Sequence, residues 1–483
     1  MSKLQKLLIF ALIFSQIPAL AQYPLPPSSF LNTQYESEHL NDSLSHFGLL
    51  PYRISFKNDT SFFFPCIENR LNIGNNYNFG YIAYGIGGFI KKHNFALTFY
   101  PLLGAGNNPL WWKHKNTLPF IGKSFSSYKN YLLFFDPEFE LSFKTKYINF
   151  RLGREKFHIG QGYRSVWLDS YAPPYPFIQG DVNIWKVKYV FRISIMHNPD
   201  FRFPNKQFYH AFNIAHYLDF SFGPVNLTMF ETIMQDPIDS IHAHRGFDIN
   251  YLNPVIFFRA VDLSLGSPDN VLLGLGGSIK IHKHFIPYAY GLLDEMIVSH
   301  LLANDKCWCL KYAANAGFKY FDTFGLKNLF SQAEVSFARP YTYSHDNPIL
   351  AYGNYYQPLA HPLGANFKEF LFHIIYWDHS NSTIEAVIST GIVGKDIDSL
   401  NYGQNIFNSY LTHVKEYGVT IGQGLTEHFF AYELSLNQKI TNWLWLKIGI
   451  LGRYTHSVKG ENWNFVNFLS LSSNIINPHW DWL

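Results

Sequence analysis

Charge is scarce in this 483-residue chain: Asp, Glu, Lys and Arg make up 15% of it, where a soluble domain carries ~25%. The 38 basic residues nearly cancel the 35 acidic ones, which excludes a nucleic-acid binder acting through bulk positive charge. Cysteine is scarcer still. Cys66, Cys307 and Cys309 are too few for a disulfide framework. The Cys307-Trp308-Cys309 spacing matches neither a zinc ribbon nor a redox Cys-x-x-Cys, so a structural or incidental role is expected. With 33 Gly and 25 Pro, collagen-like and low-complexity chains are excluded. Past the N-terminus no apolar run reaches about 18 residues, which excludes membrane-spanning helices.

Chemical motifs are also missing. No phosphate loop, Gly-x-Ser-x-Gly elbow or zincin helix occurs, so no catalytic residue, no cofactor and no enzyme activity is expected. Gly274-Leu275-Gly276-Gly277 lies in a strand-like run, Val271 to Ile281, and reads as close-packing or bulge glycines, as does Gly422-Gln423-Gly424. His242/His244 and His282/His284 are spaced to share a strand face, but neither pair has an evident third ligand, so no metal site is expected.

What is abundant is aromatic: 46 Phe, 32 Tyr and 11 Trp make 18% of the residues. Something other than water faces much of such a surface. At the start, Lys3 and Lys6 precede an apolar run from Leu7 to Phe14 that leads through Pro18 to Ala19-Leu20-Ala21. This is the pattern of a secretory signal cleaved after Ala21. An uncleaved anchor is the weaker alternative, because Ser15, Gln16 and Pro18 cut the run short.

Period two runs through the rest. Trp185, Val187, Tyr189, Phe191, Ile193 and Ile195 alternate with Lys186, Lys188, Arg192 and Ser194. Phe139, Leu141 and Phe143 alternate with Glu138, Glu140, Ser142 and Lys144, and the phase restarts past Lys146 as Ile148, Phe150 and Leu152. Further hairpins are expected at Gly80 to Leu103, turning at Lys91 to Asn94, and at Tyr432 to Ile450, turning at Asn437-Gln438. A β-sandwich also alternates, but these strands exceed the globular average of ~5 to 6 residues and suit a tilted bilayer crossing. Trp111-Trp112, Trp443 to Trp445 and Trp480 to Trp482 suit interfacial girdles.

The expected fold is therefore all-β: a transmembrane antiparallel barrel of roughly 16 to 18 strands in the outer membrane. Residues 1–21 form the signal, 22–50 a periplasmic or plug segment with a short helix at Glu36 to Phe47, and 51–483 the barrel. Long outer connections are expected at Gly104 to Asn130, Met196 to Asn213 and Pro340 to Lys368.

Three stretches are richer in charge, glycine and aromatics than strands require. The first runs from Gly153 through Arg154, Gly160-Gln161-Gly162-Tyr163-Arg164-Ser165 and Asp169 to Pro176. The second runs from Tyr251-Leu252-Asn253-Pro254-Val255 through Asn270 to Asp294-Glu295. The third runs from Glu334 through Arg339-Pro340-Tyr341-Thr342-Tyr343-Ser344-His345 and Leu359-Ala360-His361-Pro362-Leu363-Gly364 to Glu369. Loops of this composition can fold over a barrel lumen. Arg154, Tyr163, Arg164, Asp169, Arg339, Tyr341, Tyr343, His345 and His361 are the candidates either for binding sugar hydroxyls and carboxylates or for fixing the loops inside the lumen.

Taken together and in this order, these stretches resemble the Wzi family of outer-membrane capsule-assembly proteins, and more closely its branch of RemB-type gliding-motility proteins. The resemblance covers the chain from about Leu49 onward. It implies a barrel without enzyme activity that helps hold capsular polysaccharide at the cell surface, with a periplasmic N-terminal element. The capsule-type pattern has Trp-Gly-Pro-Gly where this chain has His158-Ile159-Gly160-Gln161-Gly162. Expected partners are outer-membrane lipid, a surface polysaccharide, and motility or secretion proteins, with no nucleic acid. A motility or adhesion component, a passive porin and a secreted β-sandwich enzyme are the competing readings.

Overall fold

The computed structural model describes residues 59–75, 78–109, 112, 114, 116–119, 121–202, 208–238, 246–253, 269–282, 284–295, 297–378, 382–441 and 444–473. The expected signal, segment 22–50 with its helix, His242/His244, Trp111, Trp443 and Trp480 to Trp482 lie outside the described residues. Eighteen antiparallel strands close into one barrel. They are β1 (Thr60–Gly74), β2 (Asn78–Lys92), β3 (Phe95–Gly106), β4 (Tyr131–Lys144), β5 (Ile148–Glu155), β6 (Tyr175–Ile184), β7 (Val187–Arg202), β8 (Phe208–Phe222) and β9 (Val225–Gln235). The second half comprises β10 (Asn270–Ile279), β11 (Phe285–Glu295), β12 (Lys311–Tyr320), β13 (Leu329–Ala338), β14 (Phe367–Trp377), β15 (Ser382–Lys395), β16 (Leu425–Thr441), β17 (Leu444–Ser457) and β18 (Gly460–Ser472). β1 meets β18 along a ladder from Glu68 opposite Ser472 to Gly74 opposite Val466, so no sheet edge is left with unpaired backbone groups.

The alternation is turned inside out relative to a water-soluble sandwich. On β4, Glu138 and Glu140 are buried in the lumen while Phe139 and Leu141 point outward and are exposed. On β7, Arg192 and Ser194 are buried. Around the barrel Ile86, Ile178, Leu275, Val335, Phe370, Leu434, Ile448 and Leu469 all project outward. An apolar outer wall around a polar interior is what lipid on one side and a lumen on the other require. The interior charges are paired: Arg151 binds Glu140, Arg154 binds Asp136, and Lys447 Nζ lies 2.7 Å from Glu433 Oε1.

The two ends differ. Turns at 93–94, 145–147, 185–186 and 223–224 are short, whereas connections at 107–130, 156–174, 236–269, 296–310, 339–366 and 396–424 are long. In outer-membrane barrels short turns face the periplasm and long loops face outward. At the short-turn end Tyr147, Trp185, Phe222, Phe324 and Tyr376 form an exposed aromatic girdle, Trp185 being 84% exposed. Of the tryptophans singled out in the sequence, the two among the described residues stand elsewhere: the Trp112 indole donates to the Thr117 carbonyl within its loop, and Trp445 packs in the lumen against the cluster of Phe330, Ile375 and Trp377.

Several boundaries differ from expectation for one physical reason: a lumen accepts polar side chains, so polar strand residues imitate loops. Met196 to Asn213 is mostly strand, because β7 continues to Arg202 and β8 begins at Phe208, with Asn198 and Asn213 buried inside. Asn437-Gln438 is not a turn either, since Gln438 pairs with Leu446 and the ladder runs on to Thr441. Trp185 sits in a turn at φ 56° rather than at the head of a strand. His282 and His284 also lie in the turn before β11, not on a strand face. The 396–424 connection was not anticipated, nor was the short helix α1 (Val298–Ala303).

Candidate functional site

Long connections fold back into the barrel and fill its outer half. The loop 156–174 between β5 and β6 enters first. Two lumen-facing carboxylates on adjacent strands receive it, Glu334 on β13 and Glu369 on β14, with Glu369 directly opposite Ser336 in the ladder. Glu334 accepts the Tyr163 N–H at 2.9 Å and the Arg164 N–H at 3.2 Å, and also the Tyr288 hydroxyl at 2.8 Å. Glu369 accepts Arg164 Nε at 2.9 Å and lies 2.8 Å from His361 Nε2. Gly162 makes this approach feasible, because a Cβ there would sit 2.2 Å from the Arg164 carbonyl and 2.5 Å from the Glu334 carboxylate. Asp169 closes the loop by accepting the Ser165 N–H at 2.8 Å, and its own N–H donates to the Leu359 carbonyl at 2.6 Å.

The loop also carries an apolar wedge. Trp167 stacks on Phe230 at 5.4 Å with a 9° interplanar angle and meets Tyr290 edge-on. Its indole N–H donates to the Gly291 carbonyl. Gly274 leaves the space this ring occupies, and Gly276 does the same for Tyr290. The glycine run is thus close-packing, as its place in a strand implied.

The loop 339–366 lies above. Arg339 donates to the carbonyls of Leu310, Cys307 and Val419 at 2.6, 3.2 and 3.2 Å, and so fastens three outer segments. Tyr341 and Tyr343 both hold positive φ, 67° and 71°, a strained state for bulky residues that persists only where surroundings impose it. The Tyr341 hydroxyl donates to the Asn401 carbonyl, the Tyr343 hydroxyl to the Val166 carbonyl, and the Tyr343 N–H to Asp294. A register shift beside Glu295 in β11 turns Asp294 and Glu295 toward the same amine, Lys311 Nζ at 3.3 and 2.9 Å. From the second stretch, the Tyr251 hydroxyl donates to Asp269, and Asn270 reaches the Leu350 carbonyl.

Burial pushes the Tyr341 hydroxyl up to about 12 and the Tyr343 hydroxyl well above its ordinary range. Burial also lowers the His345 and His361 imidazoles and brings the Lys156 amine down to about 8. Arg164, Asp169, Arg339, Tyr341, Tyr343, His345 and His361 are all buried against protein. Arg164 and His361 meet on one carboxylate, whereas Arg154 stands apart on the barrel wall with Asp136. In this arrangement these side chains pin loops inside the lumen.

On the outer side lies a second, half-buried layer that the sequence reading missed. Trp308 stacks on His413 at 4.5 Å and lies 5.1 Å from Tyr410, while its indole donates to Glu416. Exposed Leu411, Val414 and Tyr417 flank this group. The signal for Trp308 was present in Cys307-Trp308-Cys309; Tyr410 and His413 have no motif and become visible only when loops 296–310 and 396–424 meet. Such a platform offers ring faces and polar edges together, and nothing in it resembles a nucleophile held by a base.

No family model matches the sequence. No curated protein matches it either. Among solved structures, Wzi of Escherichia coli, described as an outer-membrane protein involved in group 1 capsule assembly and a carbohydrate-binding β-barrel, superposes with TM-score 0.52 at 12% identity, over 92% of this chain and 89% of that one. The chain shares the fold of that protein, a closed antiparallel β-barrel. OprD of Pseudomonas aeruginosa (TM-score 0.46, 9% identity, 85% and 94% coverage) and OccAB2 of Acinetobacter baumannii (TM-score 0.46, 11% identity, 86% and 97% coverage) are similar at lower scores.

Proposed function

We propose that this barrel holds or organises capsular or other surface polysaccharide at the outer face of the cell, without catalysing a reaction. The observation that carries the reading is a half-buried aromatic and imidazole cluster on the outer side, Trp308 with Tyr410 and His413, above an outer lumen occupied by buried, ion-paired loops. A filled lumen favours holding a ligand over passing one. The platform offers ring faces to sugar C–H surfaces and donors to hydroxyls, and many such weak contacts along a polymer add by avidity. The barrel shared with Wzi, a carbohydrate-binding protein, supports the same direction. On this reading the chain is exported by a signal cleaved after Ala21, and its partners are lipid and polysaccharide.

The test is the ratio of cell-attached to released polysaccharide in a deletion strain against its complemented parent. Polymer made but shed into the medium supports attachment. Unchanged attachment overturns it and moves the role to motility or adhesion through a protein partner, which co-purification would identify.

A further inference from the structure

The loop that carries Trp308 has a second feature that the polysaccharide reading does not use. His300 on α1, Cys307 and Cys309 place one ligand atom each within 4.8 Å of one another. The two sulfurs are joined as a disulfide in the structure, so they already lie close enough to share a metal. We propose that, with the cysteines as thiols, Cys307, Cys309 and His300 form a Zn2+ site on the outer loop.

Two thiolates and an imidazole are the donor set zinc prefers, and ligands at Zn–S ~2.3 Å and Zn–N ~2.1 Å lie roughly 3.5 to 3.8 Å apart around a tetrahedral ion. Small side-chain adjustments bring the three groups to that spacing. A carboxylate stands behind the imidazole, as zinc-bound histidines require: Asp305 Oδ2 is 2.6 Å from His300 Nδ1, and Asp305 Oδ1 accepts the Cys307 N–H at 3.0 Å. The Cys309 N–H points at Cys307 Sγ over 3.2 Å, a direction that in the reduced form favours a thiolate there. The backbone is bent to achieve this. Asn304 and Lys306, on either side of Asp305, both take left-handed conformations at φ 51° and 56°, a cost borne where a turn must present specific groups. The cysteines themselves are buried beside Leu310 and Tyr312, while His300 is partly open to solvent.

Reduction comes first: a thiol or phosphine reductant supplies two electrons, and with two protons the disulfide becomes two S–H groups. Binding is then an exchange in which Zn2+ enters, two S–H protons leave to solvent, and no electrons move. The disulfide form has no thiolate to offer and does not bind. Metal would tie α1 to the turn that holds Trp308, whose N–H bonds to Glu416, and so fix the platform's edge.

The experiment uses the full chain in detergent, reduced and then freed of reductant, titrated with Zn2+ alone and with Co2+ as a spectroscopic probe. One equivalent per chain is expected, with a thiolate-to-cobalt charge-transfer band. Cys307→Ser with Cys309→Ser abolishes both signals, His300→Gln weakens binding at least tenfold, and Asp305→Asn weakens it about tenfold. Heat-modifiable gel mobility confirms that each variant remains a barrel. The proposal is overturned if the reduced chain takes up no more zinc than the double serine variant, if His300→Gln binds as tightly as the parent, or if the disulfide form binds equally well.

Discussion

Arg164 donates through Nε to Glu369 Oε2 over 2.9 Å, across 205 residues of sequence. This bond fastens the tip of loop 156–174 to strand β14. Both groups are buried, so removing Arg164 takes the charged partner from Glu369 and leaves it His361 and Ser389, at a cost of up to about 3 to 5 kcal/mol. Arg164→Met should therefore release the loop while the closed barrel persists. Planar-bilayer recordings should show conductance well above that of the parent, and protease should cut near Tyr163. Arg164→Met with Glu369→Met should recover part of the closure, because an apolar pair leaves no buried charge, while His361 and Ser389 lose the carboxylate they bond. If the single variant conducts like the parent, the pair does not hold the plug.

Trp167 and Gly274 supply a packing test. A Cβ at 274 would lie 2.6 Å from the indole, and this ring is held by Phe230, Tyr290 and a hydrogen bond. Gly274→Ala should cost about 1 to 3 kcal/mol through overpacking and shift the tryptophan emission. Gly180 is the control, with nothing within 4 Å of its hypothetical Cβ. Gly180→Ala should leave the unfolding midpoint unchanged or slightly raised, and equal losses at both positions would contradict the wedge.

These contacts mark how far the sequence could be read. Phe139 and Leu141 against Glu138 and Glu140 announce a barrel strand because the bilayer imposes strict period two. The partners of Arg164 were not legible: Glu369 sits in a strand whose lumen-facing positions only the ladder to β13 identifies. Trp185 looked like a strand head because alternation cannot tell a turn aromatic from a strand one. Asn198 and Asn213 looked like loop because the lumen welcomes polarity as water does. Trp308 was visible as a motif, but its platform is assembled from two loops about a hundred residues apart.

The buried imidazoles set a pH response. Burial lowers His361 and His345 below the ordinary histidine value, so their neutral forms favour the folded loops. That stability is fully present above the unfolded value of ~6.5. As pH falls below it, the released loop gains protons that the docked loop does not, at up to about 1.4 kcal/mol per pH unit for each histidine until its folded pKa is passed. Protease protection of loop 339–366 should hold from pH 8 to about 7 and decline toward pH 5. His361→Gln should flatten that slope whatever it does to stability at pH 8. An unchanged slope in the variant would assign the acid response elsewhere.

The outer cluster gives the most direct test of polymer binding, because Trp308 lies on the outer loops, where it also meets Tyr341 edge-on, and not on a barrel strand. Its ring meets His413 and Tyr410 on the outer side and spans no lipid. Removing one stacking face should cost about 0.5 to 1.5 kcal/mol per contact, roughly a two- to tenfold loss in affinity for an oligosaccharide. Polymer retention should fall further, since avidity multiplies the loss at each contact. Trp185→Ala removes an equally large ring, but one at the short-turn end, and should leave retention unchanged. Retention assays on whole cells, paired with unfolding midpoints of the purified variants, read the two effects separately. If Trp308→Ala and Trp185→Ala shed polymer equally, the platform is not where polymer binds; if only Trp308→Ala sheds it with an unchanged midpoint, the outer face is the binding surface.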